Sequence, residues 1–234
     1  MENWSIEGSV IFEDNHLIAV NKPAGMLVQG DDTGDKALGD YVKEYIKKRY
    51  KKPGDVFLGT IHRIDRPVSG LVIFARTSKA LARMNELFRE KLISKTYLAL
   101  IENKPGRLSQ NLVHYLTKDT DKNVAKAHDH EVKNSKKAEL SYDYIGTANH
   151  KFLIRVMPST GRPHQIRVQL SKIGYPIVGD LKYGSKIGKG NFIYLHAKSL
   201  SFIHPVKKER IVLHCPLPDE MNWQFFTSFE GLNN

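Results

Sequence analysis

The chain has 234 residues, and 36 Lys and Arg against 25 Asp and Glu leave a formal charge of +11 and a pI of about 9.6. With 41% hydrophobic and 26% charged residues it has the composition of an ordinary globular protein, large enough for a real core in one domain or two closely packed lobes. No run approaches ~18 consecutive apolar residues, which excludes a membrane-spanning helix, and the single Cys215 excludes a disulfide framework or a Cys-based zinc site. The start, MENWSIEGSV, has no apolar stretch of the kind a secretory signal needs, so a cytoplasmic setting is expected. The excess charge has two readings. One is solubility; the other is a polyanion such as nucleic acid, whose phosphates bind Lys and Arg by releasing counterions.

In chain order, Val10–Phe12 and Leu17–Val20 are apolar runs separated by Glu13-Asp14-Asn15 and read as paired strands, with Lys22-Pro23-Ala24-Gly25 as a turn after them. Over residues 36–50, Leu38, Val42, Tyr45 and Ile46 share one helical face with lysines opposite. Leu71–Ala75 reads as a buried strand. Thr77 or Ser78 can cap the next helix, which repeats Leu81, Met84, Leu87 and Phe88. Thr96–Ile101 returns to strand. Residues 104–137 are polar, with His114, His128 and His130 but few apolar side chains, and read as an irregular surface excursion. Strands resume at Leu140–Ile145 and Phe152–Val156. A helix follows with Pro163 as its first residue, Thr160 or Gly161 as cap and Gly174 as stop. Further strands are expected at Phe192–His196, Ser199–Ile203 and Arg210–Leu213. No repeat or linker marks a domain boundary.

Two stretches concentrate chemistry. In Ile61-His62-Arg63-Ile64-Asp65-Arg66-Pro67-Val68-Ser69-Gly70 one carboxylate sits between two arginines before a buried strand. Neighbouring cations favour the charged form of a carboxylate. An ionised, positioned Asp65 can serve as nucleophile, general base or metal ligand, or simply as half of a surface ion pair. In Thr160-Gly161-Arg162-Pro163-His164-Gln165-Ile166-Arg167 two Arg, a His and a Gln surround a helix start, which suits either a phosphate or a solvated basic face. His128 and His130 lack Cys or assigned carboxylate partners, so no metal is expected there.

Together these stretches resemble the RluA-type pseudouridine synthase family. His62-Arg63-Ile64-Asp65-Arg66 with Ser69-Gly70-Leu71 is similar to that family's catalytic-aspartate signature, H-R-L-D-R-x-T-S-G-L, and Asn21-Lys22-Pro23-Ala24-Gly25 to its N-K-P-x-G motif. Lys95-Thr96-Tyr97 resembles K-x-Y. Residues 160–167 resemble T-G-R-x-H-Q-I-R. Pro176-Ile177-Val178-Gly179-Asp180 with Tyr183-Gly184 resembles P-I-x-G-D-x-x-Y-G. Leu195-His196-Ala197 and His204-Pro205 complete the series. The chain departs at Val68, where the family has Thr, and at Pro163, where it has Thr or Ser.

The resemblance implies an α+β fold, with a long, bent, mainly antiparallel sheet, flanking helices and a central cleft. It implies a single catalytic domain over residues 1–234 in two lobes, without a separate N-terminal RNA-binding module. It also implies an enzyme that isomerises uridines in ribosomal or transfer RNA, breaking N1–C1′ and joining C5 to C1′, without metal or organic cofactor. By the family pattern Asp65 is the essential carboxylate, Arg167 its salt-bridging partner, and Tyr97 lies against the uracil ring. Arg63 takes up the space of the flipped base, and Lys22, Arg66, Arg162 and His164 are RNA contacts. The expected partner is RNA, with no membrane, and the chain is expected to be a monomer. Two competing readings are an RNA-binding ribosome-assembly factor on the same fold without chemistry, and a nuclease using His62, His164 and His196.

Overall fold

Leu17–Lys22 and Ser69–Ala75 are apolar or small along nearly their whole length, and both become strands buried on two faces. The computed structural model describes residues 4–188 and 192–229; residues 1–3, part of the start read for a signal, lie outside the described residues. The elements in chain order are β1 (Val10–Glu13), β2 (Leu17–Lys22), α1 (Leu38–Arg49), β3 (Gly59–Thr60), β4 (Ser69–Ala75), α2 (Ser78–Arg89) and β5 (Ser94–Ile101). They continue as β6 (Ser109–Asp119), β7 (Val124–His128), β8 (Lys136–Ala148), β9 (Lys151–Pro158), α3 (Gln165–Lys172), β10 (Leu195–Ile203), β11 (Arg210–His214) and α4 (Met221–Gln224). The chain is α+β, and no described helix is long and apolar enough to cross a membrane.

The chain divides into two compact units, residues 1–94 with 197–218, and residues 95–196 with 219–234. Each is built from separated pieces of sequence, so no linker composition marks the division. In the first unit β2 pairs antiparallel with β1 and β4, β10 lies beside β4, and β11 pairs antiparallel with β10. Leu17, Ala19, Leu71 and Ile73 meet Leu200, Phe202 and Leu213, with Ala80 and Met84 of α2 closing the cluster. Each large side chain buried in this way contributes about 1.5–3 kcal/mol. The Thr77 hydroxyl accepts from the Ala80 N–H, the expected cap of α2. α1 buries the four residues read as its inner face.

The second unit is an antiparallel sheet in the order β5-β9-β8-β6-β7. Here the expected irregular excursion over residues 104–137 is overturned, because residues 109–119 and 124–128 of it form the ladder of β6 and β7. Leu112, His114 and Leu116 alternate inward on β6, and Ala125 and Ala127 do so on β7. Their cover comes from Val168 and Tyr183, over forty residues away, so the local sequence shows the two leucines of β6 isolated among small or polar residues.

The start of α3 is also corrected. Its first residue is Gln165 and its cap is His164 in the left-handed region at φ 53, rather than a start at Pro163. The Gln165 side-chain oxygen accepts from the Thr160 hydroxyl at 2.6 Å and the Arg162 N–H at 3.0 Å, which holds residues 160–164 as a turn. Gly174, at φ 84, ends the helix region as expected. The strand read at 192–196 begins only at Leu195 and runs on without a break into the one read at 199–203, as the single strand β10.

Candidate active site

In the first unit the loop carrying Asp65 is held at several points. His62 Nε2 accepts from the Ile73 N–H of β4 at 3.1 Å, and its ring stacks on Phe88 with centroids 5.2 Å apart. Ile64 and Val68 are buried, and the Val68 N–H donates to the Asp65 carbonyl at 3.0 Å. Val68, the departure from Thr, therefore fills an apolar position. Asp65 itself is half-buried, at a depth where a carboxylate can meet a substrate. Gly70 shows why Ser-Gly-Leu follows the loop. It sits at φ 113, and a Cβ there would strike the Ala197 carbonyl oxygen and stand 2.6 Å from the Ala197 nitrogen.

The Asn21–Gly25 turn is fastened to this loop. Lys22 is fully buried, and its ammonium donates to the carbonyls of Pro23 (2.9 Å), Met26 (2.7 Å) and Arg66 (3.1 Å). The Gly25 N–H also donates to the Arg66 carbonyl, at 2.8 Å. Burial pushes the Lys22 ammonium down to about 7, against the opposing pull of the Asp65 charge. Of the expected RNA contacts here, Lys22 thus works inside the protein. Arg66 is exposed, donating from Nε to the Gly25 carbonyl at 3.0 Å and from Nη2 to Asp35 at 2.7 Å, and Arg63 is exposed.

In the second unit Tyr97 is half-buried on β5, in register with Val156, Tyr142 and Gln110. Strand alternation puts Tyr97 on the sheet face of Leu140 and Ala138, which is the face α3 covers. Lys95, two residues earlier, donates to the Thr160 carbonyl at 3.2 Å and so ties the K-x-Y strand to the turn before α3. Arg162 donates from Nε to the Lys137 carbonyl at 3.0 Å, and His164 Nδ1 lies 2.7 Å from the Tyr183 hydroxyl. Arg167 is buried and forks onto Asp180, Nε to Oδ2 at 2.7 Å and Nη2 to Oδ1 at 2.8 Å, with its guanidinium 5.0 Å from the centre of the Tyr183 ring.

The structure thus brings Lys22, Asp65 and Arg66 together in one unit, and in the other it gathers Arg162, His164 and Arg167 around the start of α3, with Tyr97 on the sheet face that α3 covers. Outside the nuclease reading of His62, sequence reasoning assigned no role to His62, Lys95, Gln165, Asp180 or Tyr183. The signal for the last two was present in Gly179-Asp180 and Tyr183-Gly184, but only their spacing was legible, not their bonds. Among the described residues no group of three His, Cys, Asp or Glu could hold a metal, and His128 Nε2 lies 3.1 Å from the Thr117 hydroxyl.

Comparison with known proteins agrees with these motifs. The family model described as RNA pseudouridylate synthase matches residues 16–172. The chain is 33% identical over 220 residues to the ribosomal large subunit pseudouridine synthase C of Buchnera aphidicola subsp. Acyrthosiphon pisum, covering 89% of this chain and 67% of that protein. It is 30% identical over 246 residues to the tRNA pseudouridine synthase C of Haemophilus influenzae, covering 96% of this chain and 98% of that protein. The chain thus spans about two thirds of the ribosomal enzyme and nearly all of the transfer RNA enzyme. Among solved structures, Human RNA Pseudouridylate Synthase Domain Containing 4 superposes with a TM-score of 0.77 over 92% of this chain and 90% of that one, at 23% identity, which shows a shared fold. On the aspartate loop, the turn before α3 and these matches, the chain belongs to the RNA pseudouridylate synthase family.

Proposed function

We propose that this chain, an RNA pseudouridine synthase by family, isomerises specific uridines in ribosomal or transfer RNA with Asp65 as the essential carboxylate. The reaction breaks N1–C1′, turns the uracil and joins C5 to C1′. N1 gains a proton and C5 loses one, so no oxidant or reductant takes part. Whether the carboxylate adds to C1′, adds to the base or removes the C2′ proton, it must be ionised, and Arg167 is the cation assigned to it. Tyr97 stacks on the uracil ring and assists removal of the C5 proton.

The observation that carries this reading is the anchoring of the Asp65 loop by His62 on one side and Lys22 on the other, with the aspartate left half-buried between them. A fixed carboxylate avoids ordering costs when substrate arrives. The target uridine must leave its stack, which costs a few kcal/mol, and Arg63 fills the vacated space. The charge of +11 supplies sequence-independent grip on phosphates through Arg66, Arg162 and His164, while RNA shape selects the site. The protein works as a cytoplasmic monomer without metal or cofactor. RNA from cells lacking the protein, incubated with it and mapped for pseudouridine, tests the substrate assignment. New pseudouridine at defined positions of ribosomal or transfer RNA is expected, and none in either overturns the assignment.

A further inference from the structure

The end of α1 and the residues just past it read Lys47-Lys48-Arg49-Tyr50-Lys51-Lys52, five cations in six residues, all exposed. Two reverse hydrogen bonds close the helix, from the Lys52 N–H to the Lys47 carbonyl at 3.0 Å and from the Lys51 N–H to the Lys48 carbonyl at 3.3 Å. Such a closure ordinarily has glycine at its left-handed position and an apolar contact between its first and last residues. Here the left-handed position is Lys51, at φ 48, and the first and last residues are Lys47 and Lys52. Both choices cost local stability, because a Cβ in the left-handed region is strained and neighbouring like charges repel. The helix dipole favours cations in the last turn, but it does not call for a lysine at the left-handed position. No ion pair among the described residues takes up Lys47, Lys48, Lys51 or Lys52. Glu13, which accepts from the Tyr45 and Tyr50 hydroxyls at 2.9 Å each, is already paired with Arg76 at 2.9 Å and Arg49 at 3.6 Å. These bonds pin the end of α1 beside Arg76, the residue after β4.

The Asp65 loop leads into the other end of β4, where the Val68 N–H closes onto the Asp65 carbonyl just before Ser69. At ~3.3 Å per residue, the length of β4 sets the cluster roughly 20 Å from that loop. The cluster is thus too far to touch a uridine placed at Asp65, and well placed for the RNA that flanks it. We propose that Lys47, Lys48, Lys51 and Lys52 form a second RNA-binding surface, which takes backbone phosphates away from the target uridine. Phosphates relieve the repulsion that the cluster carries alone, and counterion release gives affinity without reading sequence. A lipid surface fits less well. α1 turns its apolar residues, Leu38, Val42, Tyr45 and Ile46, into the protein and keeps no apolar face to lay in a bilayer. The inference rests on RNA as the substrate, and not on the chemistry at Asp65.

The test is RNA binding over a salt series, with transfer RNA and ribosomal RNA from cells lacking this protein as the probes. One variant combines Lys47→Gln, Lys48→Gln, Lys51→Gly and Lys52→Gln. A control combines Lys79→Gln, Lys91→Gln, Lys122→Gln and Lys208→Gln, exposed lysines whose loss removes the same charge elsewhere. The first variant is expected to bind about tenfold or more weakly at ~0.1 M salt, with the slope of log K against log salt smaller by about 2–4, while the control stays within about threefold of wild type. Lys51→Gly alone separates binding from folding: it is expected to unfold at or above the wild-type temperature, yet to bind RNA about two- to threefold more weakly. Unchanged affinity and slope in the combined variant overturn the inference. Equal losses in the control overturn it too, since net charge alone would then account for them. Retained RNA affinity with lost binding to phosphatidylglycerol vesicles overturns it in favour of a lipid surface. If wild type binds RNA through the cluster but releases no tritium from uridine C5, the inference stands and the synthase reading falls.

Discussion

Lys22 and Arg66, 44 positions apart, are joined by a hydrogen bond from the Lys22 ammonium to the Arg66 carbonyl at 3.1 Å. With the Pro23 and Met26 carbonyls as its other acceptors, this buried cation ties the turn after β2 to the loop that carries Asp65. A residue that reads in sequence as a phosphate contact is thus an internal fastener of the site.

Lys22 gives a pH dependence of stability whose sign can be worked out. Its native value of about 7 lies below the ordinary 10.5, so between these values the unfolded chain binds a proton that the folded chain has released. Stability from this group therefore rises with pH across that window, and below about 7 the full cost of the buried charge is present. The unfolding free energy of wild type relative to Lys22→Met should shift toward wild type between about pH 7 and pH 9, by at most ~1.4 kcal/mol per pH unit. Urea unfolding at the two pH values measures it, and a constant difference contradicts it.

Gly70→Ala should destabilise the first unit by about 2–4 kcal/mol, from positive-φ strain together with collision against the Ala197 backbone. Backbone atoms on a neighbouring strand cannot swing aside as a side chain does. Urea denaturation gives the number, and unchanged stability would show that the two strands separate at little cost.

Much of this was legible locally, and the exceptions have physical causes. The inner face of α1 is visible because Leu38, Val42, Tyr45 and Ile46 recur at helical spacing. The aspartate loop is visible because its chemistry is contiguous in sequence. β6 and β7 are hidden because their inner positions mix Leu112 and Leu116 with a His and small alanines, in a polar stretch whose burial depends on Val168 and Tyr183. Pro163 suits a helix start by propensity, yet the Gln165 side chain captures Thr160 and Arg162 and delays the helix by two residues. The depth of Lys22 and the bond from Arg167 to Asp180 are tertiary facts: motif spacing marks Asp180 but not what it holds.

Arg167→Ala should lower turnover far more than Arg162→Ala, since the first is buried and assigned to the catalytic carboxylate while the second lies at the turn as a phosphate contact. A loss of at least ~100-fold in kcat is expected for Arg167, against a rise in KM and a weaker salt dependence for Arg162. Steady-state kinetics at two salt concentrations separates them. Equal small losses would make both generic phosphate contacts.

The β6–β7 hairpin separates structure from RNA contact. Removing residues 109–128 should unfold the second unit, because Leu116, Ala125 and Ala127 belong to its core. Lys126 and Lys137 lie on the opposite face of the sheet from Tyr97, by strand alternation. Lys126→Glu with Lys137→Glu should therefore leave kcat unchanged, and a large fall in kcat would bring that face into the reaction.

The most direct test of the whole account is tritium release from RNA labelled at uridine C5, prepared from cells lacking this protein and treated with wild type or Asp65→Asn in the presence of EDTA. Release by wild type alone, with equal RNA binding and equal thermal stability of the two proteins, is the predicted result. Release by both removes Asp65 from the mechanism. Release by neither, with RNA still bound, makes the chain an RNA-binding protein that keeps the fold without the chemistry.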